Sequence, residues 1–552
     1  METVNITIND TVKLKARKGK SVKEILKEHV PPNTYSKYLV ILNGQMASLN
    51  TKIEEDTIIV TIRDYEEPLK RAYENTAALI LTHAAQQIFP EEKLIISHSI
   101  CEGLFCEFYK KKSIDDETVQ KLIIAFNEII KKNLEIKPFI TSRLKAIKYF
   151  KKIERNDSAG LLKYYNRKNV LLYTIEEKKY WLPGPPAPNT GLIKIFSLQP
   201  YSNGFVLRYP IEPKLDRLPV FTKQNMLCQI FNEAERWGEI LEIADISDVN
   251  RLVVNKKISD MIKISEALHE KKIAIIADSI AEQNIDRRLI FIAGHSSSGK
   301  TTFMMRLYIQ LRVLGYKVVT LSLDNYFLNR DEIINKQRKN INYEVLEAID
   351  LDLLNSHLSQ LLSGKPVSLP KYDFKLGKKN WGNNEIIANK KTLFIIEGIH
   401  GLNPGLTNNI DDSYKYKIYI SALTHLNFDN SNRISTHDAR LIRRIVRDYK
   451  YRGYSASETI KMWQNVVLGE KKYIFPFQEE SNIMFNSSLA YEFGVLKKYA
   501  EEALNKVPED DSSYPESKRL LDFLSYSLPI DDHEISPTSI LREFIGKSSF
   551  TY

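Results

Sequence analysis

The chain has 552 residues, of which 43% are hydrophobic and 27% are charged. This composition excludes a largely disordered protein, and the length is too great for one hydrophobic core, so about three or four domains are expected. The net charge of +10 is compatible with a polyanionic ligand, either nucleotide phosphates or RNA, although surplus lysine commonly lies on a solvated surface.

Cysteines and apolar runs are both scarce. The three cysteines, Cys101, Cys106 and Cys228, have no spacing typical of a zinc site, which favours a reducing compartment without disulfides. The N-terminal residues lack a basic region followed by an apolar run, and no apolar run approaches the length of a membrane span. We therefore expect a cytoplasmic protein with no membrane partner.

The first domain is expected at residues 1–66, as a small β-grasp module. Apolar alternation and turn residues predict strands at 4–8 and 12–16, a helix at 22–29, and strands at 38–42 and 57–62. This order resembles the TGS domain of threonyl-tRNA synthetases, of some regulatory GTPases and of stringent-response enzymes. Residues Leu42-Asn43-Gly44-Gln45 stand at the position of that family's turn.

The second domain, residues 67–215, resembles the α+β editing domain of threonyl-tRNA synthetases in two stretches. Residues 95–108, IISHSICEGLFCEF, are similar to the first stretch, and residues 181–191, WLPGPPAPNTG, are similar to the second. Because both stretches occur in the same order as in those enzymes, we expect an editing-like α+β fold here.

The metal-ligand positions of that family are largely replaced. The family carries two histidines four residues apart on a helix, so that both imidazoles face one site. Here His83 is followed four residues later by Gln87, and the later cysteine and histidine positions hold Leu182 and Pro186. One ligand of four remains, so we expect neither zinc nor editing hydrolysis, and His83 is interpreted as an ordinary helix-surface or pocket residue.

The rest of the chain divides into three regions. Residues 216–285 have helical periodicity without a catalytic pattern, which predicts a helical connector. Residues 286–505 alternate strands and helices, which indicates a P-loop NTPase-type parallel sheet with helices on both faces. Residues 506–552 form a tail that begins with a polar linker and ends in an apolar segment at 540–546, predicted to be a docking helix. The predicted class is multidomain α/β.

A phosphate loop is the most specific motif of the chain. It satisfies G-x-x-x-x-G-K-[ST] as Gly294-His295-Ser296-Ser297-Ser298-Gly299-Lys300-Thr301. A buried strand at 289–293 precedes it and a helix follows from Thr302, which is the context that the motif requires. The loop amides are predicted to hold phosphates, Lys300 to charge-stabilise the terminal phosphates, and Thr301 to offer a hydroxyl to Mg²⁺.

Two acidic residues follow neighbouring apolar strands. Asp324 ends the strand at 317–323, where a carboxylate can accept a proton from an attacking hydroxyl and can also reach Mg²⁺. Glu397 ends the strand at 392–396, which is the layout of a carboxylate that orders the metal. His400, three residues later, has no evident carboxylate partner and is assigned a loop role.

Four arginines at three- and four-residue spacing are predicted to share one helix. Arg440, Arg443, Arg444 and Arg447 lie on adjoining faces and can fork onto phosphate oxygens. We predict that this helix closes over the triphosphate, with Arg443 and Arg447 catalytic and Arg440 and Arg444 at the nucleotide. A solvated or RNA-binding face is the alternative.

These motifs together resemble uridine kinases and phosphoribulokinases. The matching segments, in family order, are 294–301, 323–327, 342–344 with 348–350, 370–374, 396–399 and 440–448. The resemblance implies that Asp324 is the general base for a ribose 5′-hydroxyl. It also implies a nucleoside pocket, predicted here to be lined by Tyr326, Tyr343, Glu344, Tyr372 and Phe374.

Three positions depart from uridine kinases proper. Glu344 replaces an aspartate at the ribose, Gly377 stands where pyrimidine-specific members have a base-contacting histidine, and Tyr454 replaces an arginine in the lid turn. Loss of the histidine removes a donor that would distinguish a pyrimidine edge. The identity of the base therefore does not follow from the sequence.

The predicted function is transfer of the γ-phosphoryl group of ATP or GTP, with Mg²⁺, to a nucleoside of the uridine or cytidine type. One alternative is a kinase for another small hydroxyl compound, as in phosphoribulokinases and pantothenate kinases. The other is an RNA-associated nucleotide-binding regulator whose N-terminal half contacts tRNA. The sequence leaves a homo-oligomer open and does not reveal the ligand of the N-terminal half.

Overall fold

A computed structural model describes residues 2–62, 67–109, 111, 113–211, 216–283, 287–337, 343–424 and 426–551. The expected domain boundaries near residues 66, 215 and 285 lie outside the described residues. Asn342, part of the family-like motif, also lies outside them.

Residues 3–61 form a mixed sheet that packs against a short helix. The elements are β1 (Thr3–Ile8), β2 (Val12–Arg17), α1 (Val22–His29), β3 (Leu39–Leu42), β4 (Gln45–Ser48) and β5 (Thr57–Thr61). The strand order is β2-β1-β5-β3-β4, in which β1 and β5 are parallel and the other pairs are antiparallel. The helix begins at a reciprocal capping box between Ser21 and Glu24.

Strand β4 is an element that the sequence pattern did not predict. Asn43 and Gly44 have positive φ angles of 46° and 74°, which build a two-residue hairpin turn between β3 and β4. The four residues of β4 include one large apolar side chain, Met46, so they carry too little alternation to be recognised as a strand.

The next region is α+β. Its elements are α2 (Glu67–Ile88), β6 (Leu94–Ile100), β7 (Gly103–Phe108), α3 (Asp116–Lys132), β8 (Ile136–Ser142), α4 (Arg143–Lys152), α5 (Asn156–Tyr164), β9 (Asn169–Ile175), β10 (Lys178–Tyr180), β11 (Ser197–Tyr201) and β12 (Gly204–Arg208). The strands form two antiparallel sheets, ordered β11-β12-β7-β6 and β10-β9-β8. Helices α2 and α3 share a hydrophobic core with the first of these sheets.

His83 lies inside this region and not on a helix surface. Its ring nitrogens lie 2.7 Å from the Tyr180 hydroxyl and 3.0 Å from the Gln87 side-chain nitrogen. Burial lowers the pKa of His83 to about 4, so the ring is neutral at physiological pH. Leu182 is buried nearby in an apolar cluster with Tyr180. His83 is therefore a satisfied core residue.

Three helices join this region to the C-terminal half. They are α6 (Asn225–Leu241), α7 (Ile246–Val254) and α8 (Ile258–Ala281). Helix α8 lies along the helix that follows the phosphate loop, because Ile273, Ile276 and Ile280 share a core with Phe303 and Leu307. The connector thus supports the phosphate loop from behind.

The C-terminal half is built on a parallel sheet. Its elements are β13 (Leu289–Gly294), α9 (Lys300–Val313), β14 (Lys317–Ser322), α10 (Arg330–Gln337), α11 (Leu351–Leu362), β15 (Val367–Asp373), β16 (Lys378–Ile386), β17 (Thr392–Glu397), β18 (Lys415–Ser421), β19 (Asn427–Asp429), β20 (Asn432–Arg433), α12 (Thr436–Arg447), α13 (Ala456–Tyr473), β21 (Ile483–Asn486) and α14 (Glu492–Leu504). The strand order is β14-β17-β13-β18-β21, with all neighbours parallel.

Alternate residues of the central strand β13 belong to different cores. Ile290 and Ile292 pack with α9, α12 and α14, whereas Leu289 and Phe291 pack with α11 on the opposite face. The sheet is therefore covered on both faces, and its functional residues lie at its carboxyl edge.

The tail returns to the C-terminal half instead of extending away from it. It contains α15 (Tyr514–Leu524) and α16 (Arg542–Ile545), so the predicted docking segment is a single helical turn. Arg519 of α15 donates two hydrogen bonds to Asp438 of α12, at 2.7 and 2.8 Å. Within the described residues, none of the helices combines the length and apolar character needed to span a bilayer.

Candidate active site at the phosphate loop

The phosphate loop connects β13 to α9 with a backbone that requires glycine at two positions. Gly299 has a φ of +82°, which L side chains rarely adopt, and it immediately precedes the first residue of α9. A side chain at Gly294 would collide with the Ile420 carbonyl oxygen of the neighbouring strand β18. Ser297 also has a positive φ, of 61°. This backbone places the loop directly at the N-terminus of α9, an end of a helix that favours anions.

Lys300 folds back over the loop. Its ammonium donates to the His295 carbonyl oxygen at 2.9 Å, and the side chain is largely buried. In the described residues, the hydroxyls of Ser297 and Ser298 are buried without a hydrogen-bond partner. Buried hydroxyls of this kind are rare in folded proteins, so the loop is built to meet a polar ligand.

Asp324 and Glu397 lie beside each other at the carboxyl edge of the sheet. Strands β14 and β17 are neighbours, with Ser322 paired to Glu397, and Asp324 follows β14 in a short 3₁₀ turn. Burial raises the pKa of Glu397 to about 7; the Lys300 ammonium opposes this shift, and the Asp324 carboxylate adds to it. The predicted lysine and carboxylates therefore occupy one electrostatic site.

Asp324 opens toward solvent although protein surrounds most of its carboxyl group. Desolvation raises the pKa of Asp324 above its ordinary value, while Lys300 and Arg452 act in the opposite direction. Desolvation likewise raises the pKa of Glu344, opposed by Arg444. The edge of the sheet thus holds several carboxylates that are not fully compensated by nearby cations.

Helix α12 lies against the phosphate loop through its arginines. Arg440 donates to the Ser296 carbonyl oxygen at 3.1 Å and pairs with Glu470. Arg444 donates to the Ser296 hydroxyl at 2.9 Å and to Asp448 at 3.1 Å. The helix and the loop therefore form a continuous polar surface.

Arg443 and Arg447 were both predicted to be catalytic, but their side chains differ in burial and in the direction that they face. Arg443 is 0% exposed and pairs with Glu492, whose side chain is also 0% exposed; its Nε donates to Glu492 at 3.0 Å. Arg447 is partly exposed and pairs with Asp448 at 2.9 Å. Four arginines at helical spacing cannot all face one ligand, and Arg443 faces the protein interior in this structure.

The predicted acceptor residues meet in an aromatic cluster. The rings of Tyr343, Tyr372 and Phe374 lie edge-on to one another, with centroids 5.1 to 6.3 Å apart, and Phe327 joins them. Tyr326 is different, because its ring is 1% exposed and its hydroxyl lies 3.2 Å from His357 Nδ1. Tyr326 therefore supports the wall of this cluster from the core.

Two features favour glycine at position 377: its backbone conformation and the close approach of Arg330. Its φ is +67°, and an added methyl group would lie 2.7 Å from Arg330 Nε. The Arg330 guanidinium in turn donates to the Phe374 carbonyl oxygen at 2.8 Å. A histidine therefore does not fit at Gly377 without displacing Arg330.

One further departure, Tyr454, and the predicted loop residue His400 have clear locations. Tyr454 is largely exposed after the turn at Gly453. His400 is buried and lies edge-on to Tyr473, with ring centroids 5.5 Å apart. Burial lowers the pKa of His400 to about 4, so it is a neutral loop residue.

Sequence patterns missed three acidic residues that contact the loop or its arginines. Glu470 accepts from the Ser296 amide at 3.3 Å, Glu492 pairs with Arg443, and Glu543 of the tail accepts from Thr302. Each is brought to the loop from a distant part of the chain, and none belongs to a motif. The one available signal was the number of arginines in α12, because several guanidiniums on one helix need acidic partners where they are buried.

A cavity of about 440 Å³ lies away from this chemistry. Its walls come from β4, from the stretch 181–185, from the hairpin β19–β20 and from α15, and no phosphate-loop residue lines it. Its arginines are paired, because Arg71 binds Glu516 and Arg433 binds Glu74. The phosphate loop is therefore the better candidate for the active site.

A family profile covers the phosphate loop, the two strand-end carboxylates and the arginine helix. The profile described as Phosphoribulokinase / Uridine kinase family matches residues 289–490. Over 198 residues the chain is 32% identical to a uridine kinase from Staphylococcus epidermidis, which covers 36% of this chain and 86% of that protein. Over 179 residues it is 32% identical to a uridine kinase from Brevibacillus brevis, which covers 32% of this chain and 74% of that protein.

A further similarity concerns a different class of protein. The chain is 28% identical over 194 residues to a threonine–tRNA ligase from Caldanaerobacter subterraneus, which covers 35% of this chain and 30% of that protein. This similarity is consistent with the synthetase-like stretches of the N-terminal half. The loop, the two strand-end carboxylates and the arginine helix all lie inside the matched profile. The chain therefore belongs to the phosphoribulokinase/uridine kinase family.

Proposed function

We propose that the chain is a nucleoside kinase that transfers the γ-phosphoryl group of a nucleoside triphosphate to the ribose 5′-hydroxyl of uridine or cytidine. The observation that carries this proposal is the convergence of Lys300, Asp324 and Glu397 at the sheet edge, next to an aromatic cluster. Family membership supports phosphoryl transfer, and the names of the similar proteins support a nucleoside as acceptor.

The donor side would hold the triphosphate mainly through the backbone. The loop 294–299 leads into the N-terminus of α9, where anions are favoured, and the Ser297 and Ser298 hydroxyls add donors. Lys300 would exchange its contact with the His295 carbonyl for the β- and γ-phosphates. Positioning and charge neutralisation supply most of the rate gain in this class of reaction.

The oxygen donors of Thr301, Asp324 and Glu397 fit Mg²⁺. All three are hard ligands. Burial raises the pKa of Glu397, and a bound cation would favour its ionised form. When bound, Mg²⁺ supplies positive charge to the phosphate oxygens. In the part of the chain that the structure covers, no group of three or more His, Cys, Asp or Glu side chains is arranged to hold a metal by itself.

The acceptor side would orient one hydroxyl toward the donor. Asp324 is the proposed general base, and its raised pKa favours proton uptake from the 5′-hydroxyl. Tyr343, Tyr372 and Phe374 would contact the base, while Glu344 would accept a hydrogen bond from the ribose. We assign Tyr326 to the wall behind them.

The arginine helix would stabilise the transferred group. Arg444 already contacts the loop at Ser296, and Arg447 is partly exposed beside it. We propose these two guanidiniums as the groups that offset charge on the phosphoryl oxygens, with Arg440 at the nucleotide. Arg443 would hold α12 in place through Glu492.

A coupled ADP-release screen tests the proposal. Purified protein with Mg²⁺ and either ATP or GTP is offered uridine, cytidine, purine nucleosides, pantothenate and ribulose 5-phosphate. We expect turnover with a nucleoside, because flat aromatic walls have little use around a sugar phosphate, and with a pyrimidine nucleoside in particular because the similar proteins are named uridine kinases. Turnover with ribulose 5-phosphate or pantothenate alone would contradict the assignment of the acceptor and would favour a kinase for another small hydroxyl compound.

A second candidate function concerns RNA contact by the N-terminal half. Helix α4 has five basic residues among its ten and no acidic residue, and the neighbouring strand β8 exposes Phe139 and Ile140. Basic side chains beside exposed aromatic rings are typical of surfaces that bind single-stranded RNA. Filter binding of tRNA at about 0.15 M salt tests this candidate, because nonspecific affinity falls steeply with salt.

A further inference from the structure

The C-terminal tail lies directly on the phosphate loop. Ile540, which is fully buried, covers Gly299 so closely that a methyl group added to Gly299 would lie 2.5 Å from Ile540 Cγ2. The following residues form the single turn α16 against α12. A segment about 240 residues away along the chain therefore forms one wall of the proposed donor site.

Glu543 of this turn places a carboxylate at the N-terminus of α9. Its Oε2 accepts hydrogen bonds from the Thr302 amide at 3.3 Å and from the Thr302 hydroxyl at 2.8 Å. Backbone amides at this end of a phosphate loop are the groups that receive the α- and β-phosphates of a nucleotide. The Glu543 charge also contributes to the raised pKa of Glu397, after burial and the effect of Asp324.

We propose that Glu543 is an internal competitor of the donor nucleotide's α-phosphate, so that the tail inhibits nucleotide binding until this carboxylate moves away. The carboxylate takes the hydrogen bonds that a phosphate oxygen at Thr302 would need. It also places a negative charge where the nucleotide brings another. This inference rests on the proposed function, because it presupposes that the loop binds a nucleoside triphosphate.

The surroundings of Glu543 allow the side chain to leave while the tail stays. Leu541, Phe544 and Ile545 are buried to within 1% of full burial, whereas Glu543 itself is partly exposed. Arg542 fixes the turn by donating to the carbonyl oxygens of Asp532 and Ile535. The competing group is therefore a partly exposed side chain on a buried support.

The same turn is attached to the arginine helix and to the residues after it. The Arg443 guanidinium lies 5.3 Å from the centroid of the Phe544 ring. Lys450, in the π-helical turn Asp448–Arg452, donates to the Ile545 carbonyl oxygen. A movement of α12 toward a bound triphosphate would act on α16 through these contacts. The turn that carries Glu543 is therefore in direct contact with the arginine helix and with the residues after it.

Calorimetric titration with MgADP tests the competition. The full-length protein is compared with Glu543→Gln, which keeps the size of the side chain and removes its charge. We expect Glu543→Gln to bind MgADP about tenfold more tightly, since hydrogen bonds to charged groups are stronger than those to neutral ones. Glu509→Gln, the same change at an exposed tail residue, is the matched control and should bind as the wild type does.

A second variant and a kinetic readout guard against a folding defect. Glu543→Asp retains the charge but is too short to reach Thr302, and it should also tighten MgADP binding. In turnover assays both variants should lower the KM for the donor without changing kcat. Unchanged or weaker MgADP binding in the folded Glu543 variants would overturn this inference and leave the proposed function intact. No MgADP binding by any of the proteins, the wild type included, would overturn the proposed function and the inference with it.

Discussion

The donor side and the acceptor side of the site differ in how they are built. The proposed donor side is a local structure, since Gly294, Gly299 and the start of α9 lie within seven residues of one another in the chain and present backbone amides. The proposed acceptor side is assembled from side chains of β15, of the turn after β14 and of the segment around Tyr343. A local backbone site can be recognised from a short motif, whereas a site assembled from side chains depends on residues that lie far apart in the sequence.

The largest expected effect concerns the scaffold of the donor side. Arg443→Ala leaves the fully buried Glu492 carboxylate without its partner, and we expect a loss of about 3–5 kcal/mol in the free energy of unfolding. Urea denaturation measures it. Arg452→Ala, which removes a largely exposed arginine, is the control and should change this energy little. Wild-type stability together with lost turnover would instead restore a catalytic role for Arg443.

The donor side also predicts a large loss of activity at Lys300. Lys300→Ala removes the ammonium that would bind the terminal phosphates, so kcat/KM should fall by about 10²–10³-fold. Lys23→Ala, at an exposed position of α1, serves as control in the same ADP-release assay. A fall of less than threefold in Lys300→Ala would show that this lysine does not contribute to transfer.

Local elements of the fold could be predicted from the sequence, whereas contacts made by tertiary packing could not. The bounds of β17 and α1 and the strand before the phosphate loop were predicted closely, because each follows from local periodicity. The partners Glu470, Glu492 and Glu543 could not be predicted, because each meets the loop only through tertiary packing. The burial of Arg443 and Tyr326 was missed for the same reason, since a motif gives residue types and not the direction of each side chain.

A smaller effect is expected on the acceptor side. Tyr372→Ala removes one ring from the aromatic cluster, so the KM for the nucleoside should rise about tenfold while the KM for ATP stays unchanged. Steady-state kinetics with each substrate varied in turn separates the two constants. Trp381→Ala, an exposed aromatic residue on β16, is the control. An equal rise in the KM for the nucleoside and the KM for ATP would contradict the assignment of Tyr372 to the acceptor side alone.

The smallest effect concerns the carboxylate shared by the two sides. Burial raises the folded-state pKa of Glu397 from 4.5 to about 7, so stability is lost as pH rises from about 4.5 to about 7, where the unfolded chain is ionised and the folded carboxyl is still protonated. Without Mg²⁺, the difference in Tm between Glu397→Gln and the wild type should therefore be larger at pH 8 than at pH 5. Differential scanning fluorimetry measures it, and Glu385→Gln is the exposed control. A difference in Tm that does not change with pH would contradict the raised pKa of Glu397.

The central claim is that Asp324 activates a nucleoside hydroxyl next to a bound triphosphate. The most direct measurement is nucleoside-dependent ADP release by Asp324→Asn, together with MgADP binding by the same protein. We predict that ADP release falls by at least about 10²-fold while MgADP binding persists. Near-normal turnover in Asp324→Asn would contradict the account.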